Sequence, residues 1–547
     1  MVNGATARTI RRWFDPEQGV PDHQISRWIF LRALGLIYFS AFYSLVFQIR
    51  GLIGPQGILP ASEYLEAVAH GFGPLRFWFA PTLLWFSSGS HILMVLCWIG
   101  IVASLLVVLN MWPRAMLVVC FGCFLSFVAA ASDFSGYQSD GMLLEAGFIS
   151  LFFVPGGFFP GWGAARFPPR ASLFLLLWEW FRIYFESGVV KLASGDQQWR
   201  HLTAMDEYYQ NGPLPTWIGW YVQHLPHWFH ASTVVATLAM ELLLVWMMFL
   251  PRRWRIVCFL LVTPWQIAVI LTANYAFLNY LVLALGFLLL DDPFLVRFVP
   301  ARWRTGLPVT KDSEVESDPS TRDSSLTNEA SPQVRPTQIG QHLRALRLAV
   351  IAVMLSWIFY AATLPMLQIF WRGIPSLEGP VTALAPFRIA NQYGLFAVMT
   401  PHRYEIEFQG SNDGLTWTPY PFRYKPQDVS QPPRIYAPYQ PRFDWNLWFA
   451  SLGTWSQYPI VPRTEELLLI NDPDVLQLFA GNPFPDKPPL LVRAVLWQYW
   501  FSTIQEKRTE GIWWRRQLLG TYAPTLTVGP NGRIGVVAEP LLSRPPE

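Results

Sequence analysis

Residues 172 to 199 read SLFLLLWEWFRIYFESGVVKLASGDQQW, and the reading of this stretch decides the fold. Its first part is an apolar run of the kind that crosses a bilayer. Yet Glu179, Arg182 and Glu186 stand inside it, and Lys191 closes it. Spaced i, i+3 and i+7, the first three share one helical face. Charge is costly in hydrocarbon, so ionisable groups in a span face the bundle interior, where they pair or line a wet cavity.

The rest of the chain has the composition of a membrane protein. Of 547 residues, 52% are hydrophobic and only 14% are charged, against roughly 25% charged in soluble domains. The deficit is concentrated in nine apolar segments near 29–49, 91–110, 115–131, 141–155, 171–192, 231–250, 255–272, 275–290 and 346–364. The fourth is short against the ~20 residues a spanning helix needs. The seventh contains Pro264, where a kink is expected. The Pro81-broken stretch 77–85 reads as an interfacial element. Trp is abundant, with 27 copies, as belts at the two bilayer interfaces require. The Arg8–Arg12 arm precedes the first apolar run by too far to form a cleavable signal peptide. A net charge of +3 without a basic block excludes nucleic acid as a partner class.

Loop charges orient the bundle. With a cytoplasmic N-terminal arm (1–27), every inside loop carries arginine: Arg114, Arg166 and Arg170, Arg252 to Arg255, and Arg297 to Arg304. The short outside loops near 132–140 and 273–274 carry no Lys or Arg. The expected organisation is a bundle of eight or nine spans over 28–304, a disordered cytoplasmic linker over 305–342 and a last transmembrane helix over 343–365. A β-rich domain over 366–547 then follows on the non-cytoplasmic side. The linker is rich in Ser, Asp, Glu and Pro and has no apolar period. In the last domain, Tyr404, Ile406 and Phe408 alternate with polar residues ahead of an Asn412-Asp413-Gly414 turn, a hairpin signal. Pro419 and Pro421 confine the second strand to an edge. Residues 490–501 read as another strand. The stretch "FDWNLWFASLG" places Trp445, Trp448, Phe449 and Leu452 on one helical face, able to pack on the sheet or lie on the membrane.

No nucleophile elbow, Walker loop or zinc signature occurs, and no pattern implies a cofactor or metal. Cys97, Cys120, Cys123 and Cys258 lie inside apolar segments and read as membrane-core thiols. His224, His227 and His230 are spaced for one helix face, but Pro226 interrupts it. The polar candidates are therefore Asp140 and Glu145 at the start of the fourth segment, Glu179, Arg182, Glu186 and Lys191 in the fifth, and Asp196 and Trp199 just after it. Two readings stand side by side. The charged face surrounds an outward-facing site in which Lys191 is a base, or Arg182 neutralises its two glutamates and locks helices together. Lys191 has no partner at i−4 or i+4, leaving Glu186 or Asp196 within reach.

Four blocks resemble the lipase maturation factor family: "RWIFLRALGLIYFSAFYSLVFQIRGLIGPQGILP", "YQSDGMLLEAGF", "ESGVVKLASGDQQWRHLTAMDEYYQNGPLPTWIGWYVQHLP" and "RFDWNLWFASLG…NPFPDKPP". The resemblance runs from about Trp28 to Thr521. It implies a polytopic membrane protein that helps exported lipases fold and assemble. The client would be engaged by the domain after the last spans, with Trp445, Trp448 and Phe449 as candidate contacts. More distantly, "GVVKL" is similar to the membrane domain of vitamin K-dependent γ-glutamyl carboxylases, in which such a lysine acts as base. That similarity implies an enzymatic alternative resting on Lys191. In eukaryotes the family resides in the endoplasmic reticulum. Scarce lysine and the absence of any Asn-x-Ser/Thr sequon favour a bacterial inner membrane here. The expected partners are an exported, lipase-like client and membrane lipid.

Overall fold

The structure, a computed structural model, describes residues 4–163, 166–304, 338–371, 373–375 and 377–544. The apolar segments form α1 (Gln24–Val46), α2 (Ser90–Val108), α3 (Pro113–Val128), α4 (Gln138–Phe153), α5 (Arg170–Ala193), α6 (His227–Leu242), α7 (Arg252–Thr272), α8 (Leu278–Gly286) and α9 (Gln338–Phe370). Among the described residues, five helices are long and apolar enough to cross a membrane: α1, α2, α6 with the turns that extend it to Phe249, α7 and α9. Of the others, α3 and α8 are apolar but short, α4 has 16 residues, and α5 carries the charged face. Pro264 lies inside α7. Residues 305–337 of the expected linker are outside the described residues, and its last five open α9.

Helices approach most closely where side chains are small. A Cβ on Gly35 of α1 would lie 2.9 Å from Val108, and one on Gly100 of α2 would lie 2.5 Å from the Phe42 ring. This contact needs glycine at both positions. The helices α4 and α5 are largely enclosed, and Asp140, Glu145, Glu179, Arg182, Glu186 and Lys191 on them are all buried.

The C-terminal part holds a sheet of six antiparallel strands: β1 (Arg403–Ser411), β2 (Thr418–Pro419), β3 (Leu491–Phe501), β4 (Trp514–Thr521), β5 (Thr525–Val528) and β6 (Ile534–Ala538). The order is β2-β1-β3-β5-β6, with β4 also pairing β3. β1 pairs β3 from Arg403↔Tyr499 to Ser411↔Leu491. β2 is an edge strand, where Pro419 and its missing donor are tolerated. The alternation of β1 is realised on two buried faces. Ile406 and Phe408 lie in the apolar core. On the other face, Glu405 pairs with Arg403 and Lys425, and Glu407 with Arg516.

The helix α10 (Arg442–Ser451) packs against β1. Its N-terminus is the main bolt to the helical bundle. Arg442 donates two hydrogen bonds to Asp140 of α4, at 2.7 and 2.8 Å, and one to the Phe134 carbonyl at 2.7 Å. Its guanidinium also lies over the Phe127 ring, 4.8 Å from the centroid. All of these groups are buried, and in such a setting a bidentate arginine–carboxylate pair fixes orientation as well as charge. Trp445 stacks on Tyr137 at 5.0 Å, so the apolar face of α10 is spent on the bundle.

Two residues beyond Arg442, burial pushes the Asp444 carboxyl up to about 7, although Lys425 opposes the shift. This folded-state value lies above the ordinary one of about 3.9. The bound proton therefore stabilises the fold fully below about pH 4, and that contribution is lost as pH rises through about 7. Asp444→Asn keeps the carbonyl that accepts from the Tyr424 and Lys425 amides and removes the charge. Thermal unfolding in detergent across pH should show the variant more stable than the parent above pH 7, by up to roughly 4 kcal/mol, with the two converging in acid.

Candidate functional site

The charged face of α5 meets an irregular segment, Arg388–Met399, that enters the bundle ahead of β1. Its backbone forms no ladder or helix of its own there, so each buried N–H and C=O needs a partner. The charged side chains supply those partners. Arg182 donates to the Asn391 carbonyl at 2.5 Å and forms a buried ion pair with Glu145 of α4. Glu145 in turn accepts from the Asn391 amide (2.9 Å), the Asn391 side chain (3.0 Å) and the Tyr393 hydroxyl (2.9 Å). Glu186 accepts the Tyr393 amide at 2.5 Å. Glu179 lies 3.4 Å from the Tyr393 hydroxyl, and Arg182 sits over the Tyr393 ring, 5.2 Å from its centroid.

One turn further along α5, the Lys191 ammonium donates to Glu241 of α6 at 2.9 Å and to the Leu395 carbonyl at 2.9 Å. It also lies over the Trp199 ring, 5.2 Å from the centroid. The Trp199 indole N–H donates to the Phe396 carbonyl at 3.0 Å, and Asp196 accepts the Met399 amide at 2.7 Å. The same residue caps the short helix Gln197–Arg200. Beside Lys191 lies a cavity of about 80 Å³ bordered by Tyr184, Tyr208, Glu241, Gln266 and Asn279. Tyr184 donates to Gln266 at 2.7 Å, and Gln266 donates to Asn279 at 2.8 Å. The second Glu241 oxygen and the Asn279 Nδ2 have no partner among the described residues.

The structure thus joins Glu145, Glu179, Arg182 and Glu186 in one network, with Lys191, Asp196 and Trp199 next to it on the same segment. Asp140 is separate and belongs to the Arg442 bolt. The principal partner of Arg182 is Glu145 on the neighbouring helix; Glu186 is 4.0 Å away. Glu241, Asn391 and Tyr393 escaped sequence reasoning. Glu241 is a lone carboxylate in an apolar helix, and that signal was available. Asn391 and Tyr393 lie in a loop whose pattern carries no sign of burial. Trp445 and Trp448 are buried, and of the three aromatic candidates on α10 only Phe449 is exposed. The three histidines go to separate surroundings. His224 contacts the Trp220 and Ser502 carbonyls, His227 contacts Asp206, and His230 is buried without a hydrogen-bond partner among the described residues.

Comparison with known proteins gives one consistent result. The model of the lipase maturation factor transmembrane domain matches residues 25–297. The model of the lipase maturation factor C-terminal domain matches residues 389–524. The chain is 32% identical to lipase maturation factor 2 of Gallus gallus, over 94% of this chain and 83% of that protein. It is 30% identical to lipase maturation factor 1 of Homo sapiens, over 92% of this chain and 88% of that protein. No solved structure matches.

The network ranks its members. Glu145→Leu leaves Arg182 buried without its counter-ion and should destabilise the protein by about 3–5 kcal/mol. Tyr393→Phe removes one of several donors to Glu145 and should cost only about 1 kcal/mol. Thermal unfolding of the two variants in detergent checks the order, and equal losses would contradict it.

Proposed function

The chain belongs to the lipase maturation factor family, and on that premise we propose that it is a membrane-embedded maturation factor for exported, lipase-like clients captured by the C-terminal unit. The observation that carries this reading is the division of labour in the fold. The helical part places its charged groups on the segment leading into the C-terminal unit, and that unit offers exposed apolar side chains of its own. Leu415 (87% exposed) stands in the β1–β2 turn, Leu490 (62%) immediately ahead of β3, and Phe449 (38%) on α10. The Leu490 amide donates to Asn412 in that turn, so the two leucines lie at the same end of the sheet. Trp445, stacked on Tyr137 of the bundle, and Trp448 are buried and do not enter the proposed client surface; Phe449 keeps an exposed side although it also lies 6.1 Å from the Tyr137 ring.

In this reading all nine helices cross the membrane, and the C-terminal unit lies on the non-cytoplasmic side. Arginine distribution supports the orientation. The loop side opposite the C-terminal unit carries Arg27, which donates to the Trp162, Gly163 and Arg166 carbonyls, and Arg252, which pairs with Asp291. Scarce lysine and the missing sequons support a bacterial inner membrane as the host.

A second reading is favoured by the Lys191–Glu241 pair beside its cavity: a membrane enzyme in which Lys191 serves as base. Here Glu241 would receive the proton or hold the ammonium, and the free Asn279 amide would orient a small polar substrate.

Two measurements separate the readings. Leu415→Asp, Leu490→Asp and Phe449→Asp combined should abolish co-purification of a co-expressed exported lipase while leaving the melting temperature within a few degrees; undiminished capture would refute the client surface. Lys191→Met with Glu241→Met removes both charges together, a replacement buried ion pairs often tolerate. Full yield of active lipase is expected from the folded double variant, and complete loss would favour the enzyme.

A further inference from the structure

Residues 421–441, PFRYKPQDVSQPPRIYAPYQP, form a proline-rich strap between the sheet and the helices. Asn274, between α7 and α8, holds it. Its oxygen accepts the Tyr436 amide at 2.7 Å and the Ala437 amide at 3.0 Å, and its nitrogen donates to the Arg434 carbonyl at 2.8 Å. The Tyr280 hydroxyl of α8 donates to the Ala437 carbonyl at 3.1 Å, and Ser40 of α1 donates to the Pro438 carbonyl at 2.9 Å. The strap therefore roofs the seam between α1 and α8.

Under that roof runs an apolar groove of about 580 Å³, walled by Leu36, Phe39 and Tyr43 on one side and Leu283 and Phe287 on the other. No carboxylate, ammonium or guanidinium lines it. From Ala33 to Tyr43 it follows α1 for about 15 Å at 1.5 Å per residue, half of the ~30 Å hydrocarbon core. α1 is long and apolar enough to cross a membrane, and in the orientation proposed above the mouth of the groove faces one leaflet of lipid. On the strap's other side lies a second cavity, of about 460 Å³, and Tyr436 lines both. Its walls carry Arg423, Lys425, Arg434 and one acid, Asp428. Lys425 is neutralised by Glu405 at 2.9 Å, and Asp428 is occupied by Ser430 and Gln431. Arg423 donates only its Nε, to the Gln477 carbonyl at 3.1 Å. No hydrogen bond or ion pair holds the Arg434 guanidinium among the described residues. Two exposed guanidinium groups, Arg423 and Arg434, are thus left without a counter-ion among the described residues, across the strap from an acyl-sized groove.

We propose that this junction binds one anionic glycerophospholipid, with an acyl chain in the α1/α8 groove and its phosphate at Arg423 and Arg434. Guanidinium forks match phosphate geometry, and Tyr436 is the wall at which the apolar and charged compartments meet. The lipid then joins the strap to the bundle as a third component, independently of any client.

The test uses the full chain in mild detergent, offered phosphatidylglycerol, phosphatidylcholine or inorganic phosphate, with retained lipid measured by mass spectrometry after washing. The parent should retain phosphatidylglycerol over phosphatidylcholine by about tenfold, because the two share the phosphate and only phosphatidylcholine sets a quaternary ammonium beside the two guanidinium groups, a like-charge contact of roughly that effect. Arg423→Gln with Arg434→Gln should abolish that preference and keep the chain bound. Leu36→Trp, at a position facing the bilayer, should block the groove and lose both lipids while the protein melts as the delipidated parent does. Equal retention of the two lipids by the parent overturns the proposal, as does an unaltered preference in the arginine variant. Protection by inorganic phosphate without lipid retention would make the cavity a free-phosphate site and overturn it too.

Discussion

Charge inside an apolar bundle has to be answered by something the chain itself brings there, and in this protein the answer is backbone. Glu145, Arg182, Glu186 and Lys191 each bond to the irregular segment around Asn391–Leu395. That segment has no regular structure to satisfy its own amides and carbonyls, and helices alone cannot do it for them. The two costs offset each other in part: buried ions gain dipoles and counter-ions and buried backbone gains donors and acceptors, while Glu179 Oε2, Arg182 Nε and Glu186 Oε1 keep no hydrogen-bond partner among the described residues. Remove the charges and the segment has no place in the bundle; remove the segment and the charges are orphaned.

This mutual dependence makes the two matched regions one structure. The family models separate at 297 and resume at 389, yet Tyr393 of the second region binds Glu145 of the first, and Arg442 of the second is the counter-ion of Asp140 in the first. The C-terminal unit is seated through its leading segment, through α10 and through the proline-rich strap. A maturation factor built this way presents its sheet on a fixed base, which is the arrangement the proposed client surface calls for. Preorganisation of that kind lowers the entropy lost on binding.

Lys191 stands at the edge of the network and is where the two functional readings diverge. Its ammonium is held by a carboxylate, a carbonyl and an aromatic face, a set that would fix a structural cation. The cavity next to it, largely apolar but with a Glu241 oxygen and an Asn279 amide that have no partner among the described residues, is the feature a purely structural lysine does not require.

Much of the fold was legible because its signals are local and periodic. Apolar runs became helices over nearly the expected residues, and the 403–411 alternation became β1 with Pro419 on an edge strand. The burial of the α5 charges followed from the cost of placing them anywhere else. The span count departs from the length-and-hydropathy criterion at four helices, because α5 is charged and α3, α4 and α8 are short. What the sequence by itself determined is which runs form helices and strands and that the charges of α5 must be buried and paired. Only the tertiary structure decided with whom: Arg182 with Glu145 37 residues away, Lys191 with Glu241 at 50 and with the Leu395 carbonyl at 204. Period and composition act along the chain, whereas the choice of counter-ion depends on which helices are neighbours and on which loop enters between them.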